Sequence, residues 1–135
     1  MKKYEILEHK ADLKIKAFGQ DLAELFVNAA LALAEQQAAD LGLKPKESWE
    51  EVKIESSDLN SLLVDWLNEI LYLSEVNHCL YFDFRIEELT HTRLKAKIRG
   101  RPMTQKKIDI KAVTYHGLEI KKIDNRWQAV ILFDI

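Results

Sequence analysis

The feature that most constrains the fold is a change in the spacing of apolar residues along the chain. Two segments place them at intervals of three and four, and after Asn77 they mainly alternate with polar residues until the final apolar run "AVILF". Helices bury every third or fourth residue and strands every second one. The sequence therefore predicts two helices in a chain otherwise made of strands. Their apolar stripes are Leu22, Leu25, Phe26, Ala29, Ala30 and Leu33, then Leu59, Leu62, Leu63, Trp66, Leu67, Ile70 and Leu71.

About seven strands complete the predicted fold. Alternation predicts strands near 3–7, 13–17, 50–56, 80–87, 93–99, 107–116 with 118–123, and 126–135, with a turn at Gly117 and a hairpin at "DN". Asp21 with Glu24, and "SSD" before Leu59, are typical helix starts, while "DLGLKPKESW" predicts a surface loop. We expect one α+β domain over residues 1–135, with both helices packed on one face of an antiparallel or mixed β-sheet. A doubly wound fold is excluded because no helical pattern follows Asn77.

Composition limits the functional classes. The 135 residues carry 20 Lys and Arg against 22 Asp and Glu, which argues against a nucleic-acid coat protein. Cys79 is the only cysteine, so neither an internal disulfide nor a cysteine zinc site is available within one chain, and we expect it to be packed rather than reactive. The start "MKKYEILEHK" lacks the apolar segment of a secretory signal, and no apolar run is long enough to span a membrane, so we expect a cytoplasmic protein. Phosphate-loop, dinucleotide-binding and serine-hydrolase motifs are absent from the sequence.

Two carboxylates stand at strand ends in apolar surroundings. Asp12 begins a predicted strand and Asp134 ends the last one. If those strands meet, Asp12, Asp134 and the Ile135 carboxylate converge as hard oxygen donors for Mg²⁺ or Ca²⁺. His9 is a candidate further ligand or orienting group. The alternative is that Asp134 is simply exposed and that Asp12 caps a turn or pairs with a lysine.

One strand is strongly basic. Arg93, Lys95, Lys97 and Arg99 alternate with apolar residues and lead into "RGRPMTQKK". This pattern is consistent with a solvated outer sheet face or with a contact patch for RNA phosphates or an acidic partner. The strand has no interleaved aromatic residues, which weakens the case for direct RNA binding.

Five blocks in this chain resemble the archease family. They are "HKADLKIKAFG", "LAELFVNAALAL", "LLVDWLNEILYL", "IKAVTYHGLEI" and the final "FDI", which occur in the family's order over nearly the whole chain. The resemblance implies a non-catalytic protein that assists the GTP-dependent tRNA-splicing RNA ligase, which joins 2′,3′-cyclic phosphate or 3′-phosphate ends to 5′-hydroxyl ends. It implies that the protein promotes ligase guanylylation and multiple turnover, broadens nucleotide use and contacts RNA only through the ligase.

The resemblance also implies a divalent metal ion, calcium in preference to magnesium or manganese. Its matching ligands are Asp12, Asp134 and Ile135. Lys111 matches a basic residue that is expected to matter for activation of the ligase, and His116 is a weaker candidate for the same role. The chain departs from the family at Gly100 and Arg101, where a Gly-Glu pair is usual, so one acidic contact is replaced by a basic one. Asp109, from the neighbouring predicted strand, is a candidate substitute for the missing acidic group.

Two other functions remain open at this point. A free-standing metal-dependent phosphohydrolase would use the same carboxylates without a partner. A chaperone or RNA-binding module would use the basic strand and would not depend on Asp134.

Overall fold

The computed structural model describes residues 2–9, 12–38, 48–103 and 105–135, without the side chains of Glu8 and His9. The chain order is β1 (Tyr4–His9), β2 (Asp12–Gly19), α1 (Leu22–Gln37), β3 (Glu50–Glu55), α2 (Leu59–Asn77), β4 (Cys79–Leu89), β5 (Arg93–Pro102), β6 (Ala112–Ile123) and β7 (Arg126–Asp134). The predicted surface loop falls largely on residues 39–47, which lie outside the described residues.

Both helices begin where the sequence predicts. The Asp21 carboxylate accepts a hydrogen bond from the Glu24 amide at 2.8 Å, and the Glu24 carboxylate accepts one from the Gln20 amide at 3.2 Å. Asp58 caps α2 by accepting from the Ser61 amide at 2.8 Å. These bonds satisfy amides that have no partner within the helix. Within the described ranges, neither helix combines the length and the apolar character needed to cross a membrane.

The strands form two antiparallel sheets, with orders β1-β2-β7-β6 (sheet A) and β3-β5-β4 (sheet B). Helix α1 contacts β2 and β4, and α2 contacts β6, β4 and β3. Each helix therefore packs on both sheets, which explains why α1 is buried around most of its circumference. The predicted α+β class with antiparallel strands is confirmed, and the strands divide between two sheets on either side of the helices.

One apolar cluster joins the helices to the inner faces of both sheets. Trp66 is fully buried and its indole N–H donates to the Phe26 carbonyl at 3.0 Å, so the prediction that it is a core residue is confirmed. Cys79 is buried as well, in agreement with a packed thiol.

A polar network crosses between α2 and sheet B. The Tyr81 hydroxyl donates to a Glu50 carboxylate oxygen and accepts from the Asn77 amide at 2.9 Å. Tyr81 is almost completely buried. Burial, followed by the bond to Glu50, raises the pKa of Tyr81 above its ordinary value.

The predicted turn at Gly117 is wrong. Strand β6 continues through this residue, and the register passes from Thr114 opposite Leu132 to Glu119 opposite Val130. Residues 115–118 thus lie opposite the single residue Ile131, which makes a β-bulge. Gly117 has φ +68°, a backbone conformation that glycine adopts without strain in a bulge as well as in a turn.

A side chain of α2 binds the β6 edge of sheet A. At the β6 edge, the Asn68 side chain donates to the Val113 carbonyl at 3.0 Å and accepts from the Val113 amide at 2.9 Å. The Asn68 side chain therefore takes the hydrogen-bonding position that a further strand would occupy, and it holds β6 against α2.

Candidate functional site

The two central strands of sheet A, β2 and β7, bring two carboxylates together. In the β2–β7 register Asp12 is directly opposite Asp134, and Asp134 is also opposite Ala112 of β6. The next pair along the strands, Leu13 and Phe133, is fully buried against the helices. Because side chains alternate between the faces of a sheet, Asp12 and Asp134 share the outer face. Both residues are exposed.

The geometry of this pair suits a cation. Directly opposite residues have Cβ atoms about 4.5–5.5 Å apart, so both carboxylates can reach one ion at the roughly 2.3–2.6 Å that Ca²⁺ prefers. Like charges in this arrangement destabilise a sheet unless something neutralises them. Among the described side chains, no Lys, Arg or His lies within ion-pair distance of either carboxylate. The alternative interpretation expected an exposed Asp134 and an Asp12 that caps a turn or pairs with a lysine. In the described part of the chain Asp134 is exposed, but no lysine pairs with Asp12.

Main-chain groups surround the same end of the sheet. Ile135 follows Asp134 directly, and its side chain packs against the core, which fixes the position of the backbone there. The Lys111 amide donates to the Asp134 carbonyl at 2.8 Å, while the Lys111 side chain is exposed. The structure therefore brings Asp12, Asp134, Ile135 and the Lys111 backbone together at one end of sheet A.

The side-chain donor set is small. No group of three or more His, Cys, Asp or Glu side chains suited to one metal ion occurs within the described ranges. Since Ca²⁺ takes about six to eight oxygens, two carboxylates and main-chain oxygens leave positions for water or for donors of another molecule. These residues fit a hard divalent cation held in a partly open site.

The other candidate residues from the sequence analysis do not share the register position of this pair. His116 is in the β6 bulge, exposed, with its amide donating to the Thr114 hydroxyl at 3.3 Å. His9 pairs with Leu13 through its backbone, but its side chain is outside the described part. Asp109, a candidate substitute for a missing acidic group, instead accepts from the Lys106 ammonium at 3.2 Å.

The basic strand has an acidic neighbour on each side. On the outer face of sheet B the Arg99 guanidinium contacts Asp83 at 2.6 Å. Three longer ion pairs are Arg93–Glu55, Lys97–Glu87 and Lys53–Glu51. A face with interleaved charges supports the solvated-face interpretation more than a dedicated phosphate-binding surface.

Sequence reasoning missed an aromatic residue on this face. The Trp49 ring lies 4.1 Å from the Arg99 guanidinium and 4.9 Å from that of Arg85. Alternation within β5 alone could not reveal it, because Trp49 comes from the segment that leads into the neighbouring strand β3.

The departure from the family pattern lies in the other sheet. Arg101 is on β5 opposite Leu80, whereas the acidic pair is in sheet A. Its neighbour Gly100 faces a close backbone approach, since a Cβ there would lie 1.8 Å from the Leu80 carbonyl oxygen. The glycine is therefore required by packing, and the charge reversal at 101 does not change the carboxylates of the pair.

Comparison with known proteins gives one consistent result. Residues 4–135 match the model of the archease protein family. An archease of Methanosarcina acetivorans is 43% identical, over 99% of this chain and 97% of that protein. The solution structure of protein 1598 of Methanobacterium thermoautotrophicum is similar with a TM-score of 0.81 and 31% identity, covering 100% of both chains. A crystal structure of an archease from Thermotoga maritima, described as a possible chaperone, has a TM-score of 0.71 and 22% identity, covering 96% of this chain and 94% of that one, and supports the fold alone.

Proposed function

Because this chain belongs to the archease family, we propose that it is a non-catalytic activator of a GTP-dependent tRNA-splicing RNA ligase. In this role it promotes guanylylation of the ligase, allows multiple turnover and broadens the nucleotides that the ligase accepts. It acts in the cytoplasm, and RNA is contacted by the ligase rather than by this protein.

The observation that carries the proposal is the direct opposition of Asp12 and Asp134 at an exposed end of sheet A. Two carboxylates with no cationic partner among the described side chains have the composition and spacing of a hard-cation site. With Ile135 they hold a divalent ion, of which calcium is the first candidate and magnesium or manganese the alternatives. When bound, the ion supplies positive charge that stabilises phosphate oxygens.

Other residues at this end of sheet A suit contact with phosphate groups that the ligase binds. The Lys111 amide donates to the Asp134 carbonyl, so the Lys111 backbone is held next to the acidic pair while its side chain, with the ammonium, remains exposed. Placed at the mouth of the ligase active site, that ammonium favours the triphosphate of GTP or the charge that develops during guanylyl transfer. His116, two residues beyond Thr114, is a second candidate for contact with the ligase.

RNA ligation by the cognate ligase tests this function. With the ligase limiting and with GTP and calcium or manganese supplied, we expect many turnovers per ligase in the presence of this protein and about one in its absence. Lys111→Met should lower the rate of guanylylation while leaving calcium binding intact, because it removes the charge and retains the length of the side chain. Lys121→Met is a matched control, since Lys121 lies on the same strand beyond the bulge.

Two results separate the alternatives. Phosphoester hydrolysis by this protein without ligase would establish a free-standing phosphohydrolase and contradict the proposal. Salt-sensitive binding to RNA that is lost in a Lys95→Ala/Lys97→Ala variant, with no effect on the ligase, would establish an RNA-binding module.

A further inference from the structure

The β6 bulge projects an aromatic side chain from the edge of sheet A. Tyr115 is 55% exposed although tyrosine is a large residue with much apolar surface. Residues 115–118 have no partner in the β7 register, and the bulge contains no Asp, Glu, Lys or Arg. The edge on either side of it remains paired, from Ala112 to Thr114 and from Glu119 to Ile123.

The bulge has a defined backbone. The His116 amide donates to the Thr114 hydroxyl, and Gly117 takes a left-handed conformation in which an added Cβ would meet nothing within 4 Å. Before the bulge, Asn68 of α2 binds both backbone groups of Val113. The residues that lead into Tyr115 are therefore anchored to a helix, and exposure of the ring is a property of a fixed strand rather than of a chain end.

The bulge begins beside the acidic pair. Ala112 is opposite Asp134, and Thr114 is two residues further along the same strand. At about 3.3 Å per residue, the Thr114 row is roughly 7 Å from the row that holds Asp12 and Asp134. A protein that covers those carboxylates can therefore also contact Tyr115, which follows Thr114 directly.

An exposed tyrosine on a rigid support has the properties of an interface anchor. Tyrosine contributes a large contact area with few rotatable bonds, and it is enriched among residues that dominate binding energy. A bulge next to a functional site commonly redirects one side chain. With no Asp, Glu, Lys or Arg of its own, this bulge fits an apolar cleft better than a phosphate backbone.

We infer that the Tyr115 bulge is the docking element for the ligase, and that its ring inserts into an apolar recess beside the ligase active site. This inference rests on the proposed function and extends it by separating two tasks. Tyr115 supplies affinity for the ligase, whereas the acidic pair and Lys111 act on the chemistry after docking.

The test measures binding of the purified full chain to the cognate ligase by isothermal titration calorimetry. Tyr115→Ala should raise the dissociation constant about tenfold or more. Tyr115→Phe should stay close to the wild type if the ring carries the contact. Calcium titration into Tyr115→Ala should give the wild-type affinity, because Tyr115 is not placed among the ligands.

Tyr72→Ala is the matched control. Tyr72 is 61% exposed on α2, so the same loss of exposed aromatic surface is made outside β6. Urea unfolding of both alanine variants should match the wild type, since neither side chain belongs to the buried core.

The outcomes distinguish this inference from the function on which it rests. If the wild-type protein does not bind the ligase, both are overturned. If the wild type binds and activates while Tyr115→Ala binds equally well, or loses no more affinity than Tyr72→Ala, the docking inference is overturned and the proposed function stands.

Discussion

Asp12 and Asp134 illustrate at the residue scale how a local energetic cost points to a ligand. Directly opposed carboxylates on one sheet face repel each other, and cross-strand charge pairs change stability by about 0.2–1 kcal/mol. Each residue is ordinary in isolation, since an exposed aspartate at a strand end needs no explanation. The register between β2 and β7 makes them a pair.

Asp134→Asn should therefore have opposite consequences with and without metal. Without divalent ions, the variant should be as stable as the wild type or up to about 1 kcal/mol more stable, because the repulsion is removed. Calcium at about 100 times its dissociation constant should stabilise the wild type by roughly 2.7 kcal/mol and the variant by much less. Urea unfolding with and without calcium measures both effects.

Asp124→Asn is the control for that comparison. Asp124 is in the β6–β7 turn at the far end of the same sheet, and its φ of +52° is a conformation that asparagine tolerates well. It should retain the full calcium effect. A calcium effect that is equal in Asp134→Asn and in the wild type would contradict the assignment of the pair as ligands.

The pairing of Asp12 with Asp134 was predictable from the sequence, but the stacking of Trp49 in the other sheet was not. Hydrophobic alternation places Asp12 and Asp134 at strand ends, and only the antiparallel pairing of β2 with β7 was needed to bring them together. The stacking of Trp49 on Arg85 and Arg99 depends on the order of strands within sheet B, which alternation within one strand does not contain.

At the element scale, the helices and strands followed from apolar spacing, and the continuous course of β6 did not. Glycine at positive φ occurs in both tight turns and β-bulges, and the local sequence is the same in either case. Because β6 pairs with β7 on both sides of Gly117, this glycine lies in a bulge. Tyr115 and His116 therefore lie in a bulge of β6 and not next to a turn between two strands.

The contact between α2 and sheet B makes a pH-dependent contribution to stability through Tyr81. Tyr81→Phe removes the hydrogen bond to the Glu50 carboxylate from a buried position, which should cost about 1.5–3 kcal/mol near neutral pH. In the wild type, the raised pKa of Tyr81 means that the folded state retains its phenolic proton at pH values where the unfolded state releases it. This part of the stability is complete below pH 10.0, the ordinary value, and declines as pH rises above it.

Urea unfolding of the wild type and Tyr81→Phe between pH 8 and pH 11 checks this prediction. The difference between the two proteins should be constant up to about pH 10 and should shrink above it. A difference that grows above pH 10 would show that the phenolic proton is held less tightly in the folded state.

At the scale of the whole molecule, the helices separate the chain into two sheets with different outer faces. The α+β class was predictable from two helical patterns among alternating ones. The division into two sheets was not, because period-two spacing shows that a strand buries one face without showing which strands share a sheet. The consequence is functional: sheet A carries the acidic pair, Lys111 and the bulge, while the basic strand and Arg101 belong to sheet B.

The most direct test of the account is the rate of ligase guanylylation by labelled GTP, measured with a saturating amount of this protein and with calcium present. We predict that the wild type and Asp124→Asn accelerate guanylylation equally, and that Asp12→Ala and Asp134→Asn lose the acceleration while remaining folded. Full acceleration by either of these two variants would contradict the claim that the acidic pair of sheet A is the functional site.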